Sequence, residues 1–381
     1  MVKRYGAPCA AETCTVGQTM AEGRRRARVI RVGVDARVLS AQVQRAGVAQ
    51  YIAEILRDGE DVSDVAVTAL SYEQEQCRVG KVPIDVIRLV PGVPWQSVLL
   101  PSHLVRKRFD VVHGPAFSIP PSFWVKRVVT VHDVAFMRMP HTVRADTVHY
   151  LQRVVKYAVH HAAAIIVPSH EVETDLVKLW PKTASRIRVI PLGADRLAHV
   201  SPTSGYRLDA PYFLHIGTIE PRKNLTFLLE AFAYAVKDGH LPHHLVLAGA
   251  RGWNNEDFWE ALRQSPVANR VHVLGYVDDS QSVQLYQDAA VYVQPSHYEG
   301  FGLGALEALW FGVPTVASPT GAVRDVHVAG LQVVETRDVA VWAHAMQQAT
   351  SLSRAGVRDA LPTWRETRRL HYALYREVAQ T

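Results

Sequence analysis

Short apolar runs alternate along the chain with longer stretches in which apolar side chains recur at helical spacing. The first run, VIRVGVDARVL at 29–39, precedes AGVAQYIAEILRDG at 46–59, whose apolar positions fall on one helical face. The same reading predicts strands over 65–70, 85–90, 109–115 and 126–136. A helix follows near 145–162, then a strand over 163–170 and a helix over 171–180, and RIRVIPLGAD closes this half at 195. Residues 194–211, ADRLAHVSPTSGYRLDAP, are polar, turn-rich and without period, which predicts a linker. The alternation restarts with a strand over 212–218 and a helix over 224–239. Strands are predicted over 243–250, 270–277, 290–296, 313–320 and 330–335, with helices at 257–265, 282–289 and 304–312 between them. Strand and helix in strict succession predict an α/β fold with parallel sheets. The division is a leader over 1–28, one domain over 29–195, a second over 206–361 and a final helical stretch over 362–381. Ligands in such sheets sit beyond the carboxyl ends of the strands, here in the cleft between the domains.

Composition changes this picture little. The 381 residues are 48% hydrophobic and 20% charged, enough for two domains with cores of their own. A net charge of +6 suits an anionic ligand, an anionic membrane surface or nucleic acid without choosing among them. Outside GRRRAR at 23–28 the basic residues form no compact stripe, which argues against DNA binding. Cys9, Cys14 and Cys77 are too scattered for a disulfide framework or a zinc site, which makes a reducing cytoplasm the default. No apolar run is long enough for a transmembrane helix. The first 28 residues lack the apolar stretch of a signal peptide and read as a disordered leader, with Met20 as a second candidate start.

The candidate chemistry lies at strand-to-helix connections. In SHYEGFGLGALEALWFGVP (296–314), Glu299 and Glu307 bracket Gly300, Gly302 and Gly304. A glycine loop opening a helix presents unpaired N–H groups and the positive end of a dipole, which favours an anion or clustered hydroxyls. Both carboxylates could accept from one polyhydroxylated ligand, although Glu299 as a turn cap and Glu307 as a partner of the helix dipole fit the spacing equally well. GTIEPRKNL (217–225) puts Arg222 and Lys223 at the mouth of the same sheet, where they could hold a diphosphate or form a solvated basic turn. TVHDVAF places His132 and Asp133 at a strand end, either facing the cleft or fixing a loop. Gly47, in AGVAQY, sits where the first strand-to-helix connection ends, a weaker signal. Asp278-Asp279 reads as a helix cap rather than a metal site, because the pair lacks a spacer. His160-His161 and His243-His244 lack the spacing of helical metal ligands. A glycosidase acid/base pair would leave Lys223 and the doubled architecture without a role.

Taken together, EGFGLGALEAL (299–309) resembles the E-x7-E motif of family 4 retaining glycosyltransferases of the GT-B fold. VHGPAFSIP (112–120), VHDVAF, VIPLGAD (189–195), GTIEPRKNL and LGYVDD (274–279) resemble that family in its order, over about 29–378. PTWRETRRLHYALYREV (362–378) resembles its C-terminal helix. The resemblance implies two Rossmann-like domains facing a central cleft, with that helix crossing back onto the first domain. It implies that Glu299 and the amides of Gly300, Phe301 and Gly302 hold the donor sugar, and that Glu307 binds the ribose. Lys223 and Arg222 would neutralise the departing diphosphate, His132 would reach the sugar, and Gly47 would lie against the phosphates. The base would lie near Gly249–Arg251 and Tyr276–Val277. No cofactor or metal is implied.

The first domain resembles bacterial mannosyl- and rhamnosyltransferases of surface polysaccharides. That favours GDP-mannose as donor, a glycan or lipid-linked acceptor, and a cytoplasmic protein at the inner face of the membrane. The segment VPWQSVLLPSHLVRKRF (93–109) reads either as a membrane-surface element or as a core helix with a basic end. The chain departs from the family pattern at Ala49-Gln50, at Gly304 and at Thr218. A weakly active subunit or sugar-nucleotide sensor, and a GT-B nucleotide-sugar epimerase, are the alternatives.

Overall fold

The computed structural model describes residues 28–40, 47–57, 63–72, 82–203, 205–239 and 241–381. Residues 1–27, with Cys9, Cys14 and Met20, and Cys77 lie outside the described residues. The first sheet holds β1 (Ile30–Asp35), β2 (Val65–Ser71), β3 (Ile84–Val86), β4 (Val111–Gly114), β5 (Lys126–Thr130), β6 (Ala164–Val167) and β7 (Ile187–Val189). The second holds β8 (Tyr212–Ile216), β9 (His244–Ala248), β10 (Val271–Gly275), β11 (Val291–Gln294), β12 (Thr315–Ala317) and β13 (Leu331–Val333). Every pairing is parallel, in the orders β3-β2-β1-β4-β5-β6-β7 and β10-β9-β8-β11-β12-β13. β4, β6 and β11 are buried at every position, as strands covered by helices on both faces must be. In each sheet the order reverses beside the first strand, between β1 and β4 and between β8 and β11. Such a reversal opens a crevice at the carboxyl ends of the strands.

Two stretches run side by side where the domains join. Ala194 N–H donates to Pro362 O at 2.8 Å, Trp364 N–H to Asp195 Oδ1 at 2.7 Å, and Thr367 Oγ1 to Pro191 O at 2.8 Å. The helix Trp364–Gln380 then lies on the first domain, burying Trp364, Thr367, His371, Leu374, Tyr375 and Val378 on one face. Each large apolar side chain buried there contributes about 1.5–3 kcal/mol. The stretch predicted to be a linker is better packed than its polar composition implies. Ala194 and Leu197 are fully buried, and Tyr206 and Leu208 pack on the second domain's core.

One further difference has a plain cause. The helix Val339–Ala349, capped by Asp338, was not anticipated, because its Val- and Ala-rich start carries little helical period. Segment 93–109 buries Trp95, Leu100 and Leu104, as a core helix does, and leaves its basic end, Arg106, Lys107 and Arg108, exposed.

Candidate active site

The connections leaving β8 and β11 meet at the switch point of the second sheet. After β8, Pro221–Lys223 form a single turn, and Asn224 takes a left-handed φ of 57° before the helix Leu225–Gly239. After β11, the chain turns through Glu299 and Gly302, whose φ of 87° suits glycine, into the helix Leu303–Trp310. The two turns are tied by His297 N–H donating to Arg222 O at 2.8 Å.

Glu299 is the hub. Lys223 Nζ donates to its Oε1 at 2.7 Å and Ser296 Oγ to the same oxygen at 2.6 Å, while Arg222 Nη1 reaches Oε2 at 2.8 Å. Only 4% of Glu299 is exposed. Burial pushes its carboxyl up, but Lys223 and Arg222 outweigh that and hold it at about 2, so it is ionised throughout the physiological range. Arg222 spends its remaining fork on Tyr298 O at 2.9 Å and Glu220 Oε1 at 2.6 Å. The Lys223 ammonium, with three donors, uses one on Glu299. Beneath Lys223, buried His215 donates Nδ1–H to Val293 O at 2.9 Å, which leaves Nε2 as a bare acceptor without a partner. Burial and the Lys223 charge lower its pKa to about 4, so the ring is neutral.

The first domain comes directly against this loop. Ser169 Oγ donates to Gly300 O at 2.7 Å, and Val134 N–H donates to Tyr298 Oη at 3.2 Å. A Cβ on Gly300 would lie 1.9 Å from His132 O, so only glycine fits. His132 Nε2 bonds Pro115 O at 2.7 Å; a carbonyl only accepts, so Nε2 carries the proton. Burial lowers the pKa of His132, leaving Nδ1 as a neutral acceptor. Phe301 packs in the core cluster that links both domains. Gly47 opens the helix Gly47–Ile55, a Cβ added to it would meet no atom within 4 Å among the described residues, and Ala49 is buried. Tyr51, one turn further, stands edge-on to His132 with centroids 4.8 Å apart.

Glu307 sits apart from the Glu299 hub. Its Oε1 accepts from Arg196 Nε at 3.1 Å and its Oε2 from Tyr286 Oη at 3.1 Å. Arg196 also reaches Asp279 Oδ1 at 2.7 Å. Burial raises the pKa of Glu307, and Arg196 opposes the rise. Gly304 lies inside the helix rather than in a loose loop, against the Tyr292 hydroxyl.

Tyr276 and Val277 line a cavity of about 230 Å³ together with Tyr206, Leu274, Gln281 and Leu285. Gly249 N–H donates to Gly275 O at 2.7 Å, which brings its turn beside that of Tyr276. Asp278 forms a reciprocal capping box with Gln281, as the helix-cap reading predicts.

The structure thus joins Glu299, Lys223 and Arg222 in one ionic cluster and sets His132 and Gly300 against each other. Sequence reading missed Arg196, His215 and Tyr206. Arg196 and Tyr206 lie in the stretch read as a linker, and His215 sits inside a strand, where its apolar neighbours mask it.

Comparisons with known proteins match this architecture. Residues 32–196 match the model of Glycosyltransferase Family 4 and residues 201–359 that of Glycosyl transferases group 1. The O-antigen chain mannosyltransferase B of Escherichia coli is 32% identical over 247 residues, 62% of this chain and 64% of that protein. The chain therefore spans just under two thirds of that relative's length. A D-inositol 3-phosphate glycosyltransferase of Saccharomonospora viridis is 28% identical over 87% of this chain and 88% of that one. Among solved structures, Anabaena HepE in complex with UDP and glucose superimposes with a TM-score of 0.65 at 15% identity, over 91% of this chain and 99% of that one. Sucrose-phosphate synthase from Thermosynechococcus elongatus gives the same TM-score at 19% identity, over 93% and 97% of the two chains. At those identities the structures speak for the fold alone. With both halves matched and both sheets wound in the same order, the chain belongs to the family 4 glycosyltransferases of the GT-B fold.

Proposed function

We propose that the protein transfers a hexose from a nucleotide sugar to a glycan or lipid-linked acceptor in polysaccharide synthesis, with mannose from GDP-mannose as the favoured donor. The similarity to the O-antigen chain mannosyltransferase B of Escherichia coli supports the choice of sugar. The observation that carries the reading is the Glu299–Lys223–Arg222 cluster at the switch point, with the adjoining Gly300 packed against His132 of the other domain.

In this reading Glu299, kept ionised, accepts hydroxyls of the donor sugar, and the amides of Gly300, Phe301 and Gly302 lie along it. Lys223 keeps two donors for the diphosphate. Arg222 acts chiefly by holding Glu299 in place, since its fork is taken by Glu299, Glu220 and Tyr298. Glu307 accepts from the ribose, the base enters the cavity beside Tyr276, Val277 and Gly249, and Gly47 lies against the phosphates.

The bond from the anomeric carbon to the diphosphate breaks, and its electron pair leaves on the phosphate oxygen. Lys223 and the helix N-termini stabilise that charge, the kind of term that usually dominates. These groups supply the cation a metal would bring, so metal-independent transfer is part of the proposal. The acceptor hydroxyl attacks the same face and gives its proton to the departing phosphate, which retains the anomeric configuration and needs no enzymatic nucleophile. NMR of the product formed from GDP-mannose and a glycan acceptor tests this. An α-linked product from an α-donor supports it, and an inverted product or donor conversion without acceptor overturns it.

A further inference from the structure

We propose that the edge of the first domain opposite the cleft docks on an anionic membrane surface, with Phe123 and Trp124 set among the headgroups and cations around them. These two side chains are 87% and 79% exposed, the most exposed large apolar groups among the described residues. They form one projection, ring centroids 6.4 Å apart and perpendicular. They cannot fold inward, because Ser122 and Val125 on either side are buried and pin the segment. An apolar pair held rigidly in water needs a partner.

The surroundings identify the partner. Phe123 and Trp124 lead into β5, and Lys126 at its start is exposed. β4 runs beside it, tied by Lys126 N–H to Asp110 O at 3.1 Å. β4 is entered through Val105, Arg106, Lys107 and Arg108, all exposed. Asp110, which follows this stretch in the chain, is paired with Arg28 at 2.5 Å. Exposed aromatic rings beside exposed Lys and Arg match the interface of an anionic bilayer. A protein partner would instead need an apolar floor around the rings.

The docking edge and His132 lie at opposite ends of β5. The six residue steps from Lys126 to His132 span about 20 Å at roughly 3.3 Å each. A docked molecule therefore holds its cleft off the membrane, which suits an acceptor whose growing end extends away from its lipid. That consequence rests on the transferase reading; the docking itself does not.

The test is co-sedimentation of the full chain with vesicles of phosphatidylcholine alone and of phosphatidylcholine with phosphatidylglycerol. Wild type is compared with Phe123→Ser/Trp124→Ser and with Arg106→Ser/Lys107→Ser/Arg108→Ser, all at exposed positions. We expect salt-sensitive binding to the anionic vesicles only, weakened about tenfold or more in either variant. Stabilisation by a nucleotide sugar should be unchanged, which separates this result from failure of the transferase reading. Absence of wild-type binding, or an aromatic variant that binds like wild type, overturns the proposal. So does wild-type self-association that is lost in the aromatic variant without any vesicle binding, which would mark the edge as a contact between copies.

Discussion

Arg196 joins Glu307 where the two domains meet, Nε to Oε1 at 3.1 Å, while its Nη1 holds Asp279 at 2.7 Å. The residues are 111 positions apart in sequence, and both side chains are under 10% exposed. The stretch that crosses between the domains therefore orients the carboxylate proposed to take the ribose.

Arg196→Met should leave Glu307 with Tyr286 as its one remaining donor among the described residues. Removing one partner of a buried ion pair costs about 3–5 kcal/mol. Burial already raises the pKa of Glu307, and losing the guanidinium raises it further. Nucleotide affinity in the variant should then climb as pH rises and Glu307 ionises, more steeply than in wild type. Calorimetric titration at several pH values reads this directly, and equal slopes would remove Arg196 from the donor site.

Gly300→Ala should strain the contact between the domains at this loop. The new methyl would meet His132 O at 1.9 Å, and overpacking of this kind costs about 1–3 kcal/mol. Because the clash is with a backbone carbonyl, His132→Ala should not relieve it. Melting temperatures of the single and double variants decide the point, and recovery in the double variant would contradict the geometry.

The C-terminal helix is held by a chain of hydrogen bonds whose direction follows from its ends. His371 Nδ1 must donate to Thr367 O, at 2.7 Å, so its Nε2 accepts from Tyr51 Oη, at 2.7 Å. Tyr51 then accepts from Thr130 Oγ1 at 2.8 Å, Thr130 from His113 Nε2 at 2.8 Å, and His113 Nδ1 from Tyr375 Oη at 2.8 Å. Every group in the chain is neutral, and Tyr51→Phe, which orphans two of them, should cost about 1–3 kcal/mol by chemical denaturation.

The same buried rings set the pH dependence of stability. Burial lowers His371 and His215 to about 4, below the usual 6.5 of a histidine. Between those values the unfolded chain binds the proton and the folded one does not. Their contribution is therefore intact above about pH 6.5 and lost as pH falls through about 4, at up to about 1.4 kcal/mol per pH unit for each ring. Denaturation midpoints from pH 7 down to 4.5 should fall accordingly, with a shallower slope in His371→Gln. A flat wild-type profile would mean that the rings are not buried as described.

Much of this was legible in the sequence because it is local. The strand–turn–helix passages around Glu299 and around Arg222-Lys223 each carry their signal within about ten residues, through the glycines or cations that follow a short apolar run. What stayed hidden depends on distant partners. Tyr51 and His371 are 320 positions apart, and neither looks unusual in its own helix. Arg196 sits among turn-forming residues, where a polar composition suggests solvent although the chain is buried against the second domain. The engagement of Arg222 by Glu220 as well as Glu299 followed from packing, which the spacing of an Arg-Lys pair does not convey.

The most direct test of the account is thermal stability in the presence of GDP-, UDP-, dTDP- and ADP-sugars, with and without EDTA, for wild type and Lys223→Ala. A nucleotide sugar bound at about 100 times its dissociation constant adds roughly 2.7 kcal/mol. The account predicts a rise for one nucleotide class, GDP-mannose first, indifferent to EDTA and absent in a folded Lys223→Ala variant. An equal rise in that variant, or no rise with any sugar nucleotide in a folded wild type, would contradict a donor site built on Glu299 and Lys223.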